Sequence, residues 1–210
     1  MEKQKISISI TRALSEIKLL DSKITKAISN TKFISAFEGQ RDVDNTGVKI
    51  VDFNERVKSN YQSIKDLIER RKTIKQKITI SNATTIVKIA EVEYFVCEAI
   101  ERKSSIQHER DLLNKLKKDY TNLKNQVDTA NVNMRAKIEQ NVNAMAGSEK
   151  DKSSLVQEFI KKSIESSEWK LVDPLKIEDE IIKLETEIDE FVANVDFELS
   201  TSNALTTIEV

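Results

Sequence analysis

Hydrophobic and polar positions along this chain follow two rhythms. Residues 5–10 read Lys-Ile-Ser-Ile-Ser-Ile, a period-two alternation that predicts a strand. The spacing then lengthens. Ile10, Leu14, Ile17, Ile24 and Ile28, with Leu20 alongside, keep helical steps and predict a helix over about 11–30. Val57, Ile64, Leu67, Ile68, Ile74 and Ile78, with Tyr61 beside them, predict a second helix over about 53–80. Asp52 and Glu55 stand at capping-box spacing at its start. A third helix is expected from near Phe95 to about Ala146. There Ile106, Leu113, Tyr120, Val127 and Met134 recur as one heptad position, and Leu116, Leu123 and Ala130 supply the other. Asn131 and Asn133 weaken the stripe and predict a kink or fraying.

The breaks are equally legible. Residues 32–53 contain Gly39 and Gly47 and read as a loop or small β-hairpin at a hairpin tip. Gly147-Ser148-Glu149-Lys150-Asp151-Lys152 ends the third helix, and a short fourth helix is expected at about 153–166. Trp169-Lys170-Leu171-Val172 looks extended. Asp173-Pro174 then opens a last helix, with Asp as cap and Pro in the first turn, where a missing amide costs nothing. Ile177, Ile181, Leu184, Ile188, Phe191 and Val195 form its stripe, expected to return along the third helix.

A short phrase occurs twice. Ser81-Asn82-Ala83-Thr84-Thr85 recurs as Ser202-Asn203-Ala204-Leu205-Thr206, each time after a long helical pattern and before a β-type run. Ile8-Ser9-Ile10 leads into a helix much as Val92-Glu93-Tyr94 does. The chain therefore reads as an internal duplication of strand, helix, helix, turn and strand. The first repeat covers 1–87, and the second covers 88–210 with the short helix inserted. Ser81, Asn82, Ser202 and Asn203 are expected to stop the helices and bind their orphan carbonyls. A ligand contact at Asn82 or Asn203 is the alternative.

Composition agrees with long exposed helices: 33% of residues are charged, 5% are aromatic, and there are 3 Gly and 1 Pro. A net charge of −1 gives no overall attraction to nucleic acid or anionic lipid, and no sequence-specific nucleic-acid binding is expected. No apolar run is long enough for a membrane span, and the Met1-Glu2-Lys3-Gln4-Lys5 start does not suit a signal peptide. The near-neutral total hides opposite halves. The second helix is basic, with Arg56, Lys58, Lys65, Arg70, Arg71, Lys72, Lys75 and Lys77. The last helix is acidic, with Glu178, Asp179, Glu180, Glu185, Glu187, Asp189, Glu190, Asp196 and Glu198. These helices are solvated faces, or they steer each other within or between chains. Alternatively Arg70, Arg71, Lys72 and Lys75 bind a phosphate, although the aromatic stacking partners and Gly-rich cradle of such sites are missing.

Residues for catalysis are scarce. His108 is the only histidine and Cys97 the only cysteine, so neither a nucleophile–base pair nor a Cys/His metal site can be assembled from them. No P-loop or dinucleotide fingerprint occurs. We expect no enzyme activity, metal or cofactor.

Several stretches resemble a known family: Ile10-Thr11-Arg12-Ala13-Leu14-Ser15-Glu16-Ile17-Lys18-Leu19-Leu20-Asp21, Ile68-Glu69-Arg70-Arg71 through Ser81-Asn82-Ala83-Thr84-Thr85, Glu98-Ala99-Ile100-Glu101-Arg102-Lys103 and Val195-Asp196-Phe197. In these the chain resembles the septicolysin-like bacterial coiled-coil proteins, and more closely their longer phage and prophage relatives. The resemblance implies a helical hairpin protein and a phage setting, in the host bacterial cytoplasm or the virion. It brings no catalytic residues.

The expected architecture is mainly α: two antiparallel, coiled-coil-like helical hairpins with a minor β element of short strands. Ile106, Leu113, Leu116, Tyr120, Leu123, Val127, Ile177, Ile181, Leu184, Ile188, Phe191 and Val195 are its expected core or oligomer seam. Stripes this numerous exceed what one thin hairpin can bury, so a homo-oligomer is expected. The expected role is non-enzymatic interaction or assembly, as a virion or assembly component or as an inhibitor binding a host protein. The alternative is an oligomeric sponge that sequesters a phosphate-bearing signal nucleotide.

Overall fold

The computed structural model of the chain describes residues 6–146 and 154–210. Its elements are β1 (Ser7–Ser9), α1 (Ile10–Asn30), α2 (Ile50–Thr84), β2 (Ile86–Ile89), β3 (Val92–Phe95), α3 (Val96–Ala146), α4 (Ser154–Ser167), α5 (Ile177–Leu205) and β4 (Thr207–Glu209). The fold is mainly α, with short antiparallel strands in two small sheets. The expected break at 147–152 lies outside the described residues.

The strands pair as one sheet that joins the two ends of the chain and one hairpin at its middle. β1 pairs with β4, and β2 pairs with β3. Ser9 opposes Thr207 and Ile8 opposes Ile208 in one sheet. Phe95 opposes Ile86 and Tyr94 opposes Val87 in the other. Both sheets continue into helix ends in the same way. The Thr85 amide donates to the Ser81 carbonyl at 2.9 Å, and the Thr206 amide to that of Ser202 at 2.8 Å. The Thr85 and Thr206 carbonyls then accept from Val96 and Ile10, the first residues of α3 and α1, both at 2.9 Å. Counting along each helix from these bonds matches Ala13 with Ala99, Leu20 with Ile106, and Ile74 with Val195, all buried.

The repeated phrase differs from expectation in one respect. α2 runs to Thr84 and α5 to Leu205, so Ser81-Asn82 and Ser202-Asn203 lie inside the last turns rather than after them. The stop comes at Thr85, whose extended backbone sends its amide to Ser81. Asn82 and Asn203 are half-buried.

By contact the chain divides along another line than the sequence repeats. One compact unit comprises 1–103 with 191–210, and the other comprises 104–190. The first unit holds both sheets. In it Ile8, Ile10, Ala13, Ile17, Leu20, Ile74, Ile78 and Ile208 form one buried cluster, with Ile24, Leu67 and Val210 packed against it. α1 and α2 thus bury facing stripes over the β1–β4 pair, which is the alternation and helical spacing read from residues 5–30 and 64–78.

Two boundaries and one helix interior depart from the sequence reading. α2 starts at Ile50, and no capping box forms at Asp52 and Glu55, because its N-cap residue Lys49 makes no side-chain cap bond. The tip loop satisfies that end instead: the Ile50 amide donates to the Asp42 carbonyl at 2.9 Å, beside an isolated Val43–Lys49 bridge. α5 starts at Ile177, after Lys176 in a left-handed conformation (φ 53°), not at Pro174. Asp173 still acts as an acceptor, taking the Ile177 amide at 2.9 and 3.0 Å. Finally, α3 passes through Asn131 and Asn133 without interruption.

Candidate interaction surfaces

In the unit 104–190, α3 and α5 run antiparallel. Lys117 pairs with Glu185, the Tyr120 hydroxyl donates to Glu178 at 2.7 Å, and Asn131 contacts Trp169, so partner numbers fall as those on α3 rise. Accepting from Tyr120 lets Glu178 raise the phenol pKa. Of the expected seam, Ile106, Leu113 and Ile188 are buried here. Leu116, Tyr120, Val127, Ile177, Ile181 and Leu184 are half-buried, and Leu123 is exposed. In the other unit Phe191 and Val195 are buried. Five of the twelve seam residues are therefore buried within one chain, and six are half-covered. Apolar residues outside it face solvent instead: Ile182 is 61% exposed, Val132 66% and Leu112 53%.

Asn131, expected to loosen α3, acts as a clamp. Its side-chain amide donates to the Trp169 carbonyl at 3.0 Å and accepts from the Trp169 amide at 2.8 Å. One carboxamide thus mimics a β-strand partner and fixes the segment after α4 to the side of α3. Beside it lies a groove of about 530 Å³ lined by Met134, Lys137, Ile138, Ser163 and Trp169 among others.

The basic helix α2 lies in the first unit. Arg71, Lys72 and Lys75 line an open groove of about 620 Å³ with Gln76, Thr79 and Ile80. The two arginines proposed for phosphate binding are already engaged. Arg70 donates to Glu16 at 2.9 Å, and Arg71 pairs with Asp21. The partners come from α1, a tertiary pairing that residue spacing within α2 does not reveal.

At the tip, Asp44 is buried and gathers four donors: Ser35 Oγ at 2.6 Å, Thr46 Oγ1 at 2.6 Å, the Thr46 amide at 2.8 Å and the Val48 amide at 3.0 Å. These bonds, the Ser35 hydroxyl first, hold its carboxyl well below the usual carboxylate range. All four donors belong to the loop itself, so the site is a structural knot. Ile34 and Phe37 stand exposed on the same loop.

Cys97 and His108 are both exposed. Among the described residues no group of three or more His, Cys, Asp or Glu could hold a metal ion. No helix among them is long and apolar enough to cross a membrane. In comparisons with known proteins, no family model matches the chain, and no curated protein or solved structure matches it either.

Proposed function

We propose that the chain is a non-enzymatic, self-associating helical protein that acts through its surfaces, as an assembly or interaction module of a phage or prophage. The observation that carries this reading is the set of large apolar side chains left outward on the helices: Leu112, Val132 and Ile182, with Phe197 on the last helix. Covering the surface still exposed on one such side chain contributes about 1–2 kcal/mol to an interface. The phage setting, and with it the host cytoplasm or the virion, is supported by the resemblance of the helical stretches alone. A host protein or a phage protein fits as a further partner.

Nucleotide capture is the second reading, favoured by the groove of Arg71, Lys72 and Lys75. The carboxylates already held by Arg70 and Arg71 weigh against it. Light scattering on the purified protein, with Leu112→Glu and Ile182→Glu variants beside it, tests the first reading. The expected result is an oligomer that each charge weakens. Unchanged mass in both variants contradicts the apolar contact. Thermal stabilisation by a nucleotide, lost in Arg71→Ala/Lys75→Ala, would establish the second reading instead.

A further inference from the structure

Two exposed stripes of opposite character remain on α2 and α5. On α2, Lys58, Tyr61, Lys65, Ile68, Lys72 and Lys75 follow alternating steps of three and four residues, so they share one helix face. All six are exposed, and the face is turned from the buried positions Ile74 and Ile78, with the buried Ile64 at its edge. Among the described residues, none of its four lysines pairs with a carboxylate of another element. Lys72 meets only Glu69 on its own helix, at 3.9 Å, and Lys65 lies over the Tyr61 ring at 5.7 Å. On α5, Asp179, Ile182, Thr186 and Asp189 follow the same steps and are all exposed. Their face lies away from the half-buried Ile181 and Leu184 and the buried Ile188. Among the described residues neither aspartate forms an ion pair, and Glu180 and Glu187 flank them, also exposed.

Each stripe has what the other lacks. The first carries positive charge around two apolar side chains, Tyr61 and Ile68. The second carries negative charge around Ile182, with the small Thr186 leaving room for a larger residue. This is the layout of helix pairs in which an apolar strip supplies affinity and charge supplies register and partner choice. Arg70 and Arg71 cannot serve this purpose, because α1 holds them through Glu16 and Asp21.

We propose that the lysine stripe of α2 docks the aspartate stripe of α5 on a second copy of the chain. The inference rests on the self-association proposed above and assigns one of its contacts, the one that includes Ile182. The two patches differ, so the contact either is reciprocated in a twofold pair or repeats head to tail into a ring or a filament.

The test uses the full chain in three forms, each checked for folding by circular dichroism: wild type, Lys58→Glu/Lys65→Glu/Lys72→Glu, and Asp179→Lys/Asp189→Lys. Sedimentation velocity should show an oligomer for wild type and at least a tenfold weaker association for each variant. An equimolar mixture of the two variants should regain the wild-type association. Should either reversal unfold the chain, Lys58→Ala/Lys65→Ala/Lys72→Ala and Asp179→Asn/Asp189→Asn should still weaken association. A wild-type oligomer unaffected by both variants overturns the docking pair and leaves self-association standing. Two weakened variants that fail to recover on mixing also overturn it. A monomeric wild type overturns both. If inorganic polyphosphate binds the wild type and the lysine variant loses that binding with no change in mass, the α2 stripe is an anion surface and the proposal fails.

Discussion

Arg102 lies over the ring of Phe191, 4.5 Å from guanidinium carbon to ring centroid. Counted from the strand junctions, these two positions match Glu16 and Arg70, which form an ion pair at 2.9 Å. The two repeats thus join their helices at the same place by different chemistry, with the arginine moved to the opposite helix. A double-mutant cycle separates the two. Arg102 and Phe191 should couple by about 0.5–2 kcal/mol, as expected for a cation over a partly desolvated ring. Glu16 and Arg70, both partly exposed, should couple by about 0.2–1 kcal/mol and lose most of that in high salt. Chemical denaturation of the four variants of each cycle reads both values.

The β2–β3 turn is strained. Ala90 and Glu91 both have positive φ, at 49° and 65°, in the two-residue loop where Asn-Gly is preferred. Replacing them as Ala90→Asn/Glu91→Gly should stabilise the fold by about 0.5–1 kcal/mol, the relief of left-handed strain less the added chain entropy of glycine and the loss of the exposed Lys88–Glu91 pair. A rise of a few degrees in the unfolding midpoint checks this, and a fall contradicts it.

Core burial should decide the cost of truncating side chains on α2. Ile74 is fully buried and Ile80 is 55% exposed on the same helix. Ile74→Ala should cost about 2–5 kcal/mol and Ile80→Ala about 0.5 kcal/mol or less, measured by denaturant titration.

The tip loop should respond to acid. The folded Asp44 carboxyl titrates below its unfolded value, so its stabilising effect is fully present above about pH 4 and is lost as pH falls through the folded value. Amide exchange at Thr46 and Val48 should quicken as pH falls below about 4, beyond the intrinsic pH effect. Asp44→Ala should show the fast exchange already at neutral pH.

The Asn131 clamp predicts a local effect. Asn131→Ala removes both bonds to Trp169, each worth about 0.5–1.5 kcal/mol, and should speed tryptic cleavage after Lys170 severalfold. The global unfolding midpoint should move little by comparison.

The helices were legible because their stripes are long: Ile10 to Ile28, Ile64 to Ile78 and Ile177 to Val195 all announce their faces. The repeated Ser-Asn phrase marked two helix ends in equivalent settings, though it sits one turn earlier than its composition implies. The hairpin turn was hidden because Ala90-Glu91 lacks the glycine or asparagine that such a turn prefers. Asn131 read as a helix-weakening residue because its partner, the Trp169 backbone, is distant in sequence and carries no side-chain signal. Arg70 and Arg71 read as an anion site because a run of cations looks the same whether or not another helix supplies Glu16 and Asp21. The opposite charges of the two long helices were plain from composition. Which lysines stay available depends on tertiary pairing and became visible only in the fold.

The most direct measurement of self-association is the molar mass of the full chain in solution from low to high micromolar concentration. The account predicts a mass that is a multiple of the 24.0 kDa chain and that falls on dilution or in high salt. A constant 24.0 kDa across that range contradicts it.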